Sequence, residues 1–288
     1  MRLIFLIPLY QFMKKHLLST VSVFKNENDY LHEWLEYHLM MGVDHMYLYD
    51  QDGGLDAMEL LRPYERAGLV TRHPWTHFDG TRYDKTTHFW ERDKSHIAYA
   101  HCAKNYRNES QWIQKLDIDE YLVMNDGGND LKEWVKTLDV NRIKGYRVYR
   151  YNFGNNGHLE KPPGLITESY TRRESEYSDY KDAGNGDFLS NNRYHYNSHK
   201  WAHKFGKSGQ VLTRPEDVNI HINHYYTKSY TEYRDRQNVM RSRDTSLAAF
   251  ENMNAICNKV EDHSMLRHTE ILRTKVAARR QGLDYFSN

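Results

Sequence analysis

The chain has little of what staples a small fold or marks a specialised one. Among 288 residues there are only two cysteines and six prolines. Cys102 and Cys257 lie far apart and in no motif, which excludes a disulfide framework and a cysteine-rich zinc site and fits a reducing compartment. No charge of one sign dominates. Lys and Arg number 40 against 39 Asp and Glu, for a net charge of +1, with the signs mixed along the chain. A dedicated nucleic-acid binder would carry a basic face or stripe, so no nucleic-acid partner is expected. No long apolar run is present either. The stretch from Met1 to Tyr10 stops at Pro8, too short to cross a bilayer, and no small-residue cleavage site follows it. Residues 1–18 are expected to be a tail or a first strand, with Lys14 and Lys15 able to support a weak membrane-surface contact. With no transmembrane segment, the protein is expected to be soluble and cytoplasmic. Internal repeats and low-complexity runs are missing too.

What is present suits one large α/β domain with a real core. Apolar residues make up 39% of the chain, and tyrosine alone contributes 23 residues. Tyrosine combines a flat apolar face with an edge hydroxyl, which suits carbohydrate binding and a mixed core equally. Ser19 to Phe24 reads as a buried strand. Asn26 and Asn28 can cap a helix whose apolar stripe is Leu31, Trp34, Leu35, His38 and Leu39, ended by Gly42. His45 to Tyr49 reads as a second strand, followed by the turn Asp50-Gln-Asp-Gly-Gly54. Residues 55–67 read as a helix containing Pro63, with Gly68 past its end. Leu69 to Arg72 is a third strand, residues 88–107 a long helix, and Gln111 to Leu116 a fourth strand. Strand–helix alternation of this kind predicts a mostly parallel sheet covered on both faces. Ligands bind beyond the carboxyl ends of such strands. Three polar clusters fall there: Lys25-Asn26-Glu27, Asp50-Gln51-Asp52 and Asp117-Ile118-Asp119. The second half is less regular. Lys144 to Phe153 is expected to be a strand, residues 154–200 long binding loops, Asn219 to Tyr226 a short strand or turn, and the chain from Lys228 polar helices.

The chemistry concentrates in Asp117-Ile118-Asp119-Glu120, directly after a strand. Paired carboxylates at a strand end can hold a hard divalent cation through oxygen, and such a cation offsets the charge growing on a departing diphosphate. Acids there can equally cap a turn, and on the motif alone the two readings stand even. Other patterns carry less. Asp50-Gln-Asp-Gly begins like a calcium loop, but Leu55 and Leu61 occupy positions that need Gly and Glu. His195, His199 and His203 fall four apart, yet the segment is poor in helix formers, so zinc is the minority reading. His38, Trp34 and Trp112 are expected in the core, Trp201 near an acceptor, and the basic run Arg234 to Arg243 on a solvated helix face.

A family likeness sharpens this reading. Val23-Phe-Lys-Asn-Glu27, Leu31-His-Glu-Trp-Leu-Glu-Tyr-His38, Gly42-Val-Asp-His45 and Tyr47-Leu-Tyr-Asp50 resemble the opening of glycosyltransferase family 92 and the "glycosyltransferase 2-like" families. Trp112 to Glu120 resembles their "W…DIDE" element. Phe153-Gly154 with Gly157-His158, and Ile222-Asn-His-Tyr225 with Lys228-Ser229, resemble their "FG…GH" and "NHY…KS" elements. These pieces occur in the family's order over residues 20–235, which is far more specific than any one of them.

The resemblance implies a GT-A fold: an α/β, Rossmann-like, mixed and mostly parallel sheet with helices on both faces. Residues 19–227 would form the glycosyltransferase domain, with 19–125 as its nucleotide-sugar half and 126–227 as its acceptor half. Residues 228–288 would be a C-terminal helical extension. It implies that Asp117, Asp119 and His224 surround a Mn²⁺ or Mg²⁺ ion, Asp119 as a direct ligand. Lys25, Asn26, Glu27, Asp50 and Asp117 would line the donor pocket, with Lys228 and Lys200 on the diphosphate. Lys200 rests on a looser match, because Ser198 to Lys204 departs from the family's basic-aliphatic strand. The donor would be a nucleotide-diphosphate sugar, UDP-linked by kinship, and the acceptor a glycan hydroxyl. Galactose fits the family best, with xylose, glucose and rhamnose open. Kinship also favours inversion, with a carboxylate taking the acceptor's proton. Glu168, Glu174, Glu176, Asp179, Asp182 and Asp187 are the choices for that base, and Asp179 and Asp187 are preferred. An inactive glycan-binding scaffold would have no need of the metal trio. A nucleotidyltransferase would show a Gly-rich basic loop where this chain has Lys25-Asn-Glu-Asn28.

Overall fold

A computed structural model of the chain describes residues 14–75, 83–84, 89–90, 94–190, 199–240 and 244–282. One sheet of nine strands organises them: β1 (His16–Phe24), β2 (His45–Asp50), β3 (Val70–Pro74), β4 (Ser110–Lys115), β5 (Glu120–Met124), β6 (Ile143–Asn152), β7 (Asp179–Asn185), β8 (Gln210–Leu212) and β9 (Ile220–His224). Their order is β3-β2-β1-β4-β7-β6-β9-β5, with β8 beside β6. β3, β2, β1 and β4 are parallel neighbours. β7 runs against both β4 and β6, and β5 runs against β9. β8 and β9 run parallel to β6. This mixed, mostly parallel sheet with helices packed on it is the Rossmann-like GT-A type of fold.

The helices α1 (Asn28–Met40), α2 (Leu55–Arg66) and α3 (Lys94–Tyr106) are the crossovers of the parallel half. α1 forms where the apolar stripe predicts it: Leu31, Trp34, Leu35 and His38 are all buried. It ends at Gly42, whose φ of +91° is one that residues with a side chain avoid. Strand alternation divides the core. On one face Leu18 and Phe24 of β1 join Trp34, Leu61, Trp112, Tyr121 and Ile222. On the other, Val21 joins Tyr47, Tyr49, Tyr99, Cys102, Ile113 and Trp201. The indole of Trp201, expected near an acceptor, is thus buried beneath α3. His38 is the satisfied core histidine expected, with Nδ1 2.8 Å from Trp34 O.

Several boundaries differ from expectation for identifiable reasons. β1 starts at His16 rather than Ser19, because Asp44 Oδ2 accepts from the backbone N–H groups of Leu17 and Leu18 at 2.9 and 3.1 Å. α3 starts at Lys94 rather than residue 88, and Phe89–Trp90 pairs instead with Tyr83–Asp84. β5 begins inside the acidic motif itself. β7 crosses a stretch read as loop. The smaller helices are α4 (Leu131–Val135) and α5 (Ile166–Ser169), followed by α6 (Tyr230–Met240), α7 (Leu247–Cys257) and α8 (Thr269–Arg280). The C-terminal helices form as expected, but α8 is no appendage. Its Leu272 and Val276 enter the main core, and its Arg279 reaches Glu36 of α1 at 2.6 Å with both side chains buried. Among the described residues, no helix is long and apolar enough to cross a membrane. Residues 1–13, His195 of the spaced histidines and Arg241 to Arg243 of the basic run lie outside the described residues.

Candidate functional site

The carboxyl ends of β1, β2, β4, β6 and β9 lie on one rim. Because β5 and β7 run the other way, their first residues arrive at that same rim. This reversal brings Glu120, Asp179 and Lys181 to the acidic motif that follows β4. The motif itself is a turn, closed by Glu120 N–H donating to Asp117 O and by Asp117 N–H donating to Glu120 Oε2 at 2.9 Å.

Asp119 and His224 meet across this rim. β9 pairs with β5 so that His224 stands opposite Glu120, and Asp119 O accepts from Tyr225 N–H at 2.9 Å. His224 Nε2 then lies 3.5 Å from Asp119 Oδ1, with both side chains almost fully buried. His224 Nδ1 is 2.7 Å from the side-chain oxygen of Asn152, at the end of β6. With Nδ1 as the donor in that contact, the Nε2 lone pair faces the carboxylate. Nε2 makes no hydrogen bond among the described residues. Two buried electron-pair donors facing each other at that distance suit a shared cation. An outer carbonyl orienting the histidine through its other nitrogen is the usual supporting contact of a metal ligand. The pair fits the divalent ion implied by the family likeness.

Asp117 does not join that pair. Its Oδ2 accepts from Lys181 Nζ at 2.6 Å. The ammonium is buried and also lies 3.1 Å from Glu120 Oε2. Burial alone would push the lysine's pKa down, but Asp117 and Glu120 outweigh it and raise it. Burial would likewise raise Glu120, yet Lys181, ahead of Arg150, holds its carboxyl well below the usual range. Arg150 extends the network, with Nη1 2.8 Å from Glu120 and Nη2 3.1 Å from Asp179. Asp117, Asp119, Glu120 and Asp179 against Lys181 and Arg150 leave two negative charges, the complement of one divalent cation. Among the described residues no three His, Cys, Asp or Glu side chains form a closed metal cage. A cation here would therefore complete its shell with ligand or solvent oxygen.

The other expected residues divide by place. Asp50 ends β2 on the rim, but its carboxylate is committed. Oδ1 accepts from Asp52 and Gly53 N–H, both at 3.0 Å, and Oδ2 accepts from Arg72 at 2.7 and 3.0 Å. It shapes the turn rather than offering a free oxygen. Asn26 takes a φ of +56°, and its N–H donates to Asp52 at 2.6 Å. Lys25 beside it is exposed. Glu27 reaches Lys228 Nζ at 3.3 Å, and that ammonium sits 4.1 Å from the centre of the Tyr30 ring. Lys228 is itself at φ +52°. Next to it Glu232 accepts from Ser229 and Tyr170 and also from Tyr30, which locks the start of α6. Lys200 stands by Tyr180, with its carbonyl accepting from the buried Lys115 ammonium at 2.6 Å.

Of the six carboxylates weighed as base, Asp179 is the one joined to the network. Asp187 stands apart. Lys14 holds it at 2.9 Å, and Gln111 at the start of β4 donates to it at 3.2 Å. It lies a whole strand from the rim, roughly 25 Å along the backbone. Glu168 pairs with Arg273, Asp182 with Arg147, and Glu174 accepts from Asn152 N–H. Glu176 is exposed. Sequence reasoning missed Lys181, Arg150 and Asn152. The latter two were findable, since they share one face of a strand that was expected.

Comparisons with known proteins give the chain its family. The family model described as glycosyltransferase family 92 matches residues 15–281. A glycosyltransferase family 92 protein of rice (Oryza sativa subsp. japonica) is 27% identical over 228 residues, 77% of this chain and 35% of its own. Relatives from Ricinus communis and Arabidopsis thaliana are 24% and 25% identical, each over 73% of this chain and 35% of their own. The chain thus spans about a third of the length of the curated relatives it matches.

Proposed function

Because the chain belongs to glycosyltransferase family 92, we propose that it transfers a sugar from a nucleotide-diphosphate sugar, UDP-linked, to a hydroxyl of a glycan acceptor with inversion. The observation that carries this reading is the buried His224 Nε2, turned by Asn152 toward Asp119 and making no hydrogen bond among the described residues. Asp119 and His224 would hold Mn²⁺ or Mg²⁺, and the donor's phosphates would complete its shell. Bound there, the ion would offset the charge developing on the departing nucleoside diphosphate.

The protein's own groups have distinct tasks. Asp50 and Asn26 fix the turns at the ends of β1 and β2, where the nucleoside would rest. Lys25 is the exposed cation of that edge. Lys228, held against Tyr30 and Glu27, stands ready for a phosphate oxygen, with Lys200 as a further cation beside Tyr180. Asp179 is 36% exposed and oriented by Arg150. It would take the acceptor hydroxyl's proton as that oxygen attacks the anomeric carbon.

Calorimetric titration with UDP, with and without Mn²⁺, tests the donor site. Micromolar binding that requires the metal and disappears in Asp119→Ala is expected. Equal UDP binding by the variant, or none by the native protein, would remove the basis of the assignment.

A further inference from the structure

We propose that Lys181 is a positioning residue that withholds Asp117 from the cation and so divides the two aspartates of the Asp-Ile-Asp motif between separate tasks. The inference rests on the metal-and-donor reading above and goes beyond it. Asp119 and His224 serve the cation alone, while Asp117 presents its other oxygen, Oδ1, as an acceptor to a hydroxyl of the donor.

The argument begins with where the ammonium sits. Lys181 Nζ lies 2.6 Å from Asp117 Oδ2 and 3.1 Å from Glu120 Oε2. A divalent cation could not share Oδ2 with it, because two positive centres would then stand a few ångströms apart in a buried site. Taking an ammonium out of water is costly and needs good geometry in return. Lys181 has that geometry from two carboxylates on different sides. Glu120 anchors it in the interior, being fully buried and gripped by Arg150 as well. Asp117, 39% exposed, extends the pair into the rim. A purely structural pair would close inside the core, whereas this one presents a half-exposed carboxylate whose orientation is fixed from below. The charge balance agrees. With Lys181 in place the cluster carries two excess negative charges. Without it there would be three, and Asp117 would be free to swing toward the metal.

Manganese binding to the nucleotide-free protein, followed by electron paramagnetic resonance, tests the division, alongside UDP affinity in saturating Mn²⁺. Asp119→Asn should weaken Mn²⁺ binding at least tenfold, while Asp117→Asn stays within twofold of native and loses at least tenfold in UDP affinity. Lys181→Met should bind Mn²⁺ severalfold more tightly and UDP at least tenfold more weakly, and Lys181→Arg should restore both. Equal loss of Mn²⁺ in Asp117→Asn and Asp119→Asn would overturn the proposal, as would a folded Lys181→Met unchanged in both affinities. Should Lys181→Met fail to fold, Lys181→Gln is measured in its place, with the same two shifts expected and unchanged affinities overturning the proposal. A native protein that binds no Mn²⁺ would defeat the parent reading and this one together. Loss shared by both aspartates would defeat only this one.

Discussion

Replacing Arg279 with Met removes one partner of the ion pair that fastens α8 to α1. Arg279 Nε donates to Glu36 Oε1 at 2.6 Å, and both side chains are 1% exposed. Glu36 also accepts from Tyr64 OH at 2.9 Å, and Lys275 stands 3.6 Å from its second oxygen. Stranding a buried charge by deleting its partner costs about 3–5 kcal/mol. Tyr64 and Lys275 keep part of the compensation, which places the expected loss near the lower end, about 3 kcal/mol. For a domain of this size that lowers the melting temperature by roughly 6–10 °C. The double variant Glu36→Gln/Arg279→Met removes both charges, keeps an acceptor for Tyr64 and should fall within about 1 kcal/mol of native. Urea unfolding followed by circular dichroism measures all three proteins. A single transition, shifted in Arg279→Met and largely recovered in the double variant, is the expected result. If Arg279→Met unfolds like the native protein, the buried pair does not fasten the helix. If helix content is lost in a separate early step, α8 is an appendage after all.

Two further outcomes follow from the same structure. Glu33 is buried against the start of α5, where it accepts from Ile166 and Thr167, and burial pushes its carboxyl up to about 7. The unfolded chain loses this proton near pH 4.5 while the folded one keeps it. Its contribution is therefore present at low pH and falls by about 3 kcal/mol as pH rises from about 4.5 to about 7; the urea midpoint of Glu33→Gln should vary less over that window than the native one. Asp187→Asn, at the end of the sheet away from the rim, should leave UDP affinity within twofold. A tenfold loss by calorimetry would contradict its placement beside Lys14.

The first half of the fold was legible because its strands are apolar and its helices amphipathic, so the two periods separate cleanly between Ser19 and Leu116. The second half was not, because β7 reads Asp-Tyr-Lys-Asp-Ala-Gly-Asn. No apolar alternation marks it, since the positions that would be apolar hold Lys181 and Asn185, buried through ion pairs and amide hydrogen bonds. Burial by charge compensation depends on partners distant in sequence, here Asp117 and Glu120, and leaves no local signal. β5 was hidden for another reason: its first residue belongs to the motif that drew notice as chemistry. The meeting of Asp119 with His224 was reached through family likeness, while Lys181 had to wait for the register of β7 against β6.

The interleaved strand order also governs how the protein can come into being. β7 completes the edge of β4 only after some seventy residues have intervened, and β5 finds its partner in β9 about a hundred residues later. Contacts so distant in sequence make for slow, cooperative folding, because loop closure must precede the reward of pairing. A chain cut between residues 125 and 126 would leave β4 with an open edge and β5 with no partner, a template for aggregation rather than a working half. On the proposed reading, a nascent chain would lack the Asp119–His224 pair until His224 is made, so a cation would find no site there before β9 has docked against β5.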